Sequence, residues 1–191
     1  MKNFTPKFLI FLLSALIVGL GLTYYSLNDG RFIGAYQWGS WSAWLKAGSP
    51  KPDPYTKAFL ALGHSVQLGR GEGIQFIAQR DENGDLLMRN CNYILKGDTP
   101  VAAFWTLRAT SFEGNSVTPN NAKQNIHSSR LARNNDGTIT IFIGPKNRTG
   151  NWLEIHGKDL FEIVLTFYDA PILAGFGGNI EQMPSIIKES C

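Results

Sequence analysis

The segment Arg148 to Gly157, RTGNWLEIHG, places an Asn-Trp pair, a glutamate and a histidine within ten residues. Glu154 and His156 are two positions apart, so an extended strand would set both on one face, where a carboxylate and an imidazole can exchange a proton. Beside Lys158 and Asp159, the plainer account is a pair of solvent-exposed loop residues, and that account is preferred. Asn151 and Trp152 also have a structural explanation. Asparagine side chains cap turns, and tryptophan fills cores with its N–H satisfied. A structural corner is the first reading of this pair. The second is a ligand contact made by Asn151, Trp152 and Trp105.

Other candidate chemistry is sparse. The three histidines, His64, His127 and His156, share no ligand spacing. Ser128 and Ser129 follow His127, but neighbours on a strand point to opposite faces, and no Gly-x-Ser-x-Gly elbow occurs. Asp81, Asn83 and Asp85 imitate the start of a calcium loop. The position that requires glycine holds Leu86, and the one that requires a bidentate glutamate holds Asn92, so DENGD reads as a turn around Asn83-Gly84. GRGEG at 69–73 follows a helical pattern instead of opening one, which is the wrong order for a phosphate loop. The reading therefore assigns no catalytic residue, no metal site and no cofactor.

The 191 residues carry 43% hydrophobic and 17% charged side chains, a globular composition with room for one domain and an appendage. That appendage is FLIFLLSALIVGLGLTYYSL, Phe8 to Leu27, uncharged throughout and long enough at 1.5 Å per residue to cross a hydrocarbon core of about 30 Å. Lys2 and Lys7 precede it and Tyr24 and Tyr25 stand at its far end. This pattern predicts a cytoplasmic tail at 1–7, a signal-anchor helix at 8–27, a linker at 28–33 and an exported domain at 34–191. A cleaved signal peptide is the rival, with GLTYYSLNDG offering only a poor cleavage site. The expected location is the cytoplasmic membrane, single-pass, with the domain on its outer side.

Beyond the anchor stand 16 basic and 15 acidic residues, a balance of +1, so the pI of 8.9 does not argue for nucleic acid. HSSRLAR, at 127–133, is the most basic stretch and reads as a solvated face. The two cysteines, Cys91 and Cys191, cannot make a zinc site alone. In an exported domain they predict one disulfide.

Asp53 followed by Pro54 is a helix start, and Tyr55, Phe59, Leu62 and Val66 supply one apolar face of a helix running to about Leu68. Beyond it the period becomes two. Strands are expected at 73–80, 86–95, 102–110, 138–144 and 160–168, with turns at DENGD and at NNDGT, Asn134 to Thr138. One helix and strands of this kind predict an all-β, mainly antiparallel, jelly-roll-like β-sandwich. Trp105, Phe142, Ile163, Leu165 and Phe167 are core candidates, although Ile141 and Phe142 cannot both face inward on a strand with one covered face. Trp38, Trp41 and Trp44 are read as either an aromatic surface near the membrane or part of the core.

Several stretches resemble the bacterial domain of unknown function 1214 family. They are WSAWLKAGSPKPDPYTKAFLALG, LGRGEGIQF, CNYILKG, FWTL, NNDGTITIFI, GNWLEI, FEIVLTFYDAP and MPSIIKESC, in order from Trp41 to Cys191. The terminal cysteine resembles a short, membrane-anchored branch. The resemblance implies a β-sandwich without an established activity. It also implies a partner, a separate envelope protein resembling the domain that larger members carry fused. This chain departs from the family pattern at Glu154, where proline is usual, and at Lys123 and Thr166, where arginines are usual. If those arginines hold an anion, this chain has altered that site.

Two functions remain. One is a membrane-anchored, non-catalytic domain that binds a partner, or an apolar or glycan-like ligand between its sheets. The alternative is a hydrolase-like or other enzyme completed by a partner domain. The lack of a compact catalytic constellation favours the first. The predicted orientation has a direct test: alkaline phosphatase fused after Cys191 should be active in intact cells, and an inactive fusion would reverse the topology.

Overall fold

A computed structural model describes residues 6–29, 35–62, 68–69, 71–169 and 183–191. The uncharged amino-terminal stretch forms α1, Pro6–Asp29. Its Pro6–Tyr25 portion has a mean hydropathy of 2.1, and among the described residues none of it is buried. A helix this long and apolar is able to cross a membrane, consistent with a single-pass anchor.

The rest is mainly β. In chain order it comprises β1 (Tyr36–Trp38), β2 (Trp41–Ala43), α2 (Pro54–Leu62), β3 (Gly73–Ala78), β4 (Asn92–Gly97), β5 (Phe104–Thr110), β6 (Ile126–His127), β7 (Ile139–Gly144), β8 (Trp152–Glu154), β9 (Glu162–Tyr168) and β10 (Ser185–Ser190). Two sheets result, a larger one ordered β1-β2-β3-β9-β5-β6 and a smaller one ordered β10-β4-β7-β8. Every strand pair is antiparallel except β7 with β8. The strand order is compatible with a jelly roll.

One hydrophobic cluster draws on both sheets, and alternation along the strands supplies it. Trp105, Leu107 and Ala109 of β5 register with Phe167, Leu165 and Ile163 of β9, and all six are buried. From the smaller sheet come Tyr93, Leu95, Ile139, Ile141, Ile143, Leu153 and Ile186. These side chains of the two sheets face one another in one cluster.

Several expectations need correction. Phe142 is not a core residue. Ile141 takes the inward position at 0% exposure and, by alternation, turns Phe142 to the outer face. The strand expected at 86–95 begins only at Asn92, because Leu86 to Cys91 follow a bridge and turn path. The turn at Asn83-Gly84 is present: Gly84, at φ +88°, donates to the Asp81 carbonyl, and Asp81 Oδ1 accepts from the N–H groups of Asn83 and Asp85. It does not join two paired strands, however. It closes only the Arg80–Leu86 bridge, after which the chain leaves the larger sheet and enters the smaller one. The second turn matches its expectation, with Gly137 at φ +85° donating to the Asn134 carbonyl.

α2 starts as expected. Asp53 Oδ1 accepts from the N–H groups of Tyr55 and Thr56, and Oδ2 accepts from the Thr56 hydroxyl at 2.7 Å. These bonds hold the Asp53 carboxyl below its ordinary pKa. The helix is described to Leu62, and the expected extension through 63–67, which includes Val66 and His64, lies outside the described residues. Its buried first-turn residue is Thr56, while Tyr55, expected on the apolar face, is exposed.

The two cysteines are joined, with an S–S distance of 2.09 Å and Cα atoms 3.9 Å apart. Antiparallel pairing of β10 with β4 brings Ser190 opposite Asn92 and thereby sets Cys191 beside Cys91. The bond closes a sequence separation of 100 residues, for which loop entropy corresponds to about 4–5 kcal/mol in the chain-entropy account. Cys191→Ser should lower the unfolding free energy in urea by an amount of that order. An unchanged midpoint would show that the bond contributes little.

Candidate functional site

At the entry to β8, the Asn151 side chain bonds two separate segments of the chain. Its side-chain oxygen accepts from the Ala132 N–H at 2.9 Å, while its amide nitrogen donates to the carbonyls of Ala132 at 2.7 Å and Thr140 at 2.9 Å. Its amide thus stands in for a peptide group, tying the loop before β7 to β7 itself. The next residue, Trp152, donates its indole N–H to the Gly144 carbonyl at 3.1 Å and leaves its ring half-buried. Trp105 is elsewhere, in the core at 2% exposure with its ring turned away from solvent. The three sequence-derived candidates therefore divide into one clamp, one surface aromatic and one core residue. The structure brings Asn151 and Trp152 together but not Trp105.

Nε2 of His156 and Oε1 of Glu154 lie 2.7 Å apart; His156 is an exposed loop residue as expected, whereas Glu154 is a half-buried residue at the end of β8. A second pairing was not legible from strand alternation. His127 Nδ1 lies 2.9 Å from Ser129 Oγ, because the chain leaves β6 for a tight helical turn at Ser128–Arg130. Among the described residues, no group of three or more His, Cys, Asp or Glu is arranged to hold a metal ion.

The outer face of the smaller sheet carries a feature that sequence reasoning missed. In register across its four strands run Ile187 of β10, Ile94 of β4, Phe142 of β7 and Trp152 of β8. Their neighbours Ile186, Tyr93, Leu95, Ile141, Ile143 and Leu153 face the core, so these four side chains form an apolar row directed outward. Ile187 is 42% exposed, and the other three are half-buried. Polar groups border the row. Arg148 places its guanidinium 5.4 Å from the Phe142 ring centroid and pairs with Glu189. Lys96, Ser185 and Thr140 occupy the adjacent register. The signal was present in the sequence as apolar residues at the outward positions of CNYILKG, TITIFIG and SIIKES, but it becomes visible only once the strands are aligned.

The outer face of the larger sheet is mixed: Phe104 and Tyr168 are in ring contact at 5.7 Å and Ile77 stands opposite Val164, beside polar side chains. Thr106 and Thr166 stand opposite one another, as do Arg108 and Val164. Next along the sheet, Glu162 accepts from Gln79 at 3.1 Å and from Thr110 at 3.3 Å. Thr166, where the family resemblance leads one to expect arginine, is only 2% exposed. Burial pushes the Glu162 carboxyl above its ordinary pKa, against the lowering effects of the Gln79 and Thr110 hydrogen bonds and the Arg108 charge.

The fold has a counterpart among solved structures. The fold is similar to that of the VPA0106 protein from Vibrio parahaemolyticus, with a TM-score of 0.60 and 17% identity, covering 99% of this chain and 47% of that one. An uncharacterized protein from Burkholderia cenocepacia gives a TM-score of 0.42 at 15% identity, over 68% of this chain and 31% of that one. This chain thus spans less than half the length of the Vibrio protein. No match was found among curated proteins. The family model described as protein of unknown function (DUF1214) matches residues 72–172, more than half of the chain. The chain belongs to that family.

The raised pKa of Glu162 has a signed consequence for stability. The folded chain holds this proton more tightly than the unfolded chain. The group's favourable contribution is therefore complete below the unfolded pKa and is lost as pH rises through the higher folded value. Glu162→Gln removes the cost of ionising a partly buried carboxyl. In urea unfolding it should be more stable than the parent near pH 7, and the gain should shrink on acidification to about pH 4. A gain that instead grew on acidification would contradict this assignment.

Proposed function

We propose that this chain is a membrane-anchored, non-catalytic interaction domain that binds a partner protein through the outer face of its smaller sheet. One observation carries the reading: the apolar row Ile187–Ile94–Phe142–Trp152 crosses all four strands on a solvent-facing surface. Contiguous apolar surface bordered by polar groups is the anatomy of a protein interface. Its composition also fits, since tryptophan and arginine dominate interface energetics and here Trp152 and Arg148 flank Phe142.

The expected partner is a separate envelope protein resembling the domain that larger family members carry fused. The length of the Vibrio relative supports this, since it contains about as much additional chain as the portion matched here. The tryptophan cluster near the anchor does not add to the argument, because Trp41 and Trp44 are buried at 2% and 9% exposure. Anchoring by α1 would place the domain at a membrane surface, the periplasmic one if the positive residues before α1 remain inside. The enzymatic alternative, a hydrolase-like or other enzyme, would need the partner domain to complete its site.

A photo-crosslinking amino acid at position 187 should yield a discrete adduct in native membranes, and the same group at Gln75, on the larger sheet, should not. Phe142→Asp should abolish the adduct while leaving the melting temperature within a few degrees of the parent, as expected for an outward-facing substitution. Equal labelling from positions 187 and 75 would remove the assigned surface.

A further inference from the structure

We infer that the edge hairpin β1–β2, together with the start of α2, lies against the lipid headgroups of the membrane that α1 enters. This inference rests on reading α1 as membrane-spanning. Tyr36 is 51% exposed and stacks on Trp38, with ring centroids 5.6 Å apart. Trp38 in turn meets Phe76 edge-on at 5.5 Å, so the pair is fixed to the body of the larger sheet. An exposed tyrosine stacked on a half-buried tryptophan suits the region where an apolar ring meets hydrated headgroups.

The anchor sets the distance. α1 carries Tyr24 and Tyr25, exposed aromatic residues at the end of its apolar stretch, and continues to Asp29. Four more helical residues add about 6 Å, and the chain from Asp29 to Tyr36 reaches at most about 25 Å whatever path it takes. Cα atoms of α2 also come within 8 Å of those of α1, bringing the segment after the hairpin beside the anchor. There Tyr55 is exposed on the first turn of α2, and Lys46, Lys51 and Lys57 of the same segment are exposed as well. Asp53 is the only acidic residue between positions 35 and 62, and it is engaged in capping α2. Three lysines and three aromatic rings on one membrane-proximal segment match the chemistry of an anionic bilayer surface.

The test uses the full chain reconstituted into phosphatidylcholine–phosphatidylglycerol vesicles, with bromine on the acyl chains near the headgroups as a short-range fluorescence quencher. Alkaline carbonate extraction is done first. Release of the chain would overturn the anchor on which the inference rests. With the chain retained, brominated lipid should quench tryptophan emission, and Trp38→Phe should lose most of that quenching while Trp152→Phe keeps it. If Trp38→Phe fails to fold, Tyr36→Ser serves instead, since that ring is at the surface, and quenching of Trp38 should fall as the hairpin loosens from the lipid. Quenching should also weaken in vesicles made of phosphatidylcholine alone. A retained chain whose quenching is absent, or is unchanged by both substitutions, would overturn docking and leave the anchor standing.

Discussion

The two-sided burial of β9 is the constraint on which the rest of the structure depends. The strand pairs along its length with β3 on one side and β5 on the other. Ile163, Leu165 and Phe167 face the core, yet Val164 and Thr166 on the opposite face are buried as well. A slip of one residue would exchange these two sets and put Thr166 into the core in place of a leucine or phenylalanine, at the cost of an unsatisfied hydroxyl. Register is therefore set at the centre of the sheet and passed outward. Phe76 of β3 meets Phe167 edge-on at 5.7 Å and also meets Trp38, so the position of the edge hairpin follows from that of β9.

The smaller sheet depends on a different set of ties, all gathered at β10. Trp41 of the larger sheet donates its indole N–H to the Pro184 carbonyl at 2.7 Å, just before β10 begins. Glu82, in the turn after β3, donates its N–H to the Ile186 carbonyl at 2.8 Å, and the Cys91–Cys191 bond holds the far end. An edge strand without such ties would fray, because only one of its sides is paired. These three ties are also what keep Ile187 in line with Ile94, Phe142 and Trp152. Asn151 does the same at the opposite edge by holding the start of β8 against β7. Residues that touch no partner thus position the ones proposed to do so.

Local features were legible in the sequence because their causes are local. The Asp53 cap, the glycine turns at 84 and 137 and the apolar length of α1 each depend on a few adjacent residues. The disulfide was also within reach, since two cysteines leave one possible pairing. What escaped prediction depends on alignment between distant strands. Periodicity says that Ile141 and Phe142 face opposite ways but not which one faces in, and the answer comes from the pairing of β7 with β4. Strands of two or three residues, such as β6 and β8, are too short to show alternation. Leu86 to Cys91 carry the pattern of a strand, yet they serve as the crossing between sheets. The role of Trp152 was half legible: its structural N–H bond was anticipated, while the row in which its ring lies appears only when four separate segments are set side by side.

A row of four side chains would be a small interface for two molecules meeting in free solution, where association must offset the loss of translational and rotational freedom. An anchor changes that balance. If α1 holds the domain in a membrane and its partner is confined to the same surface, much of that freedom is already gone before contact, and the effective concentration of each for the other rises without any new contact. Docking of the β1–β2 hairpin against lipid would restrict orientation further. The apolar row could then remain modest, which has its own advantage: a larger exposed apolar face on a β-sheet would invite association with copies of itself. The two outer faces differ in exposure. On the larger sheet the central outward side chains Val164 and Thr166 are already buried, whereas Ile187 at the end of the row on the smaller sheet is 42% exposed, so a partner arriving in the plane of the membrane would find open apolar surface there.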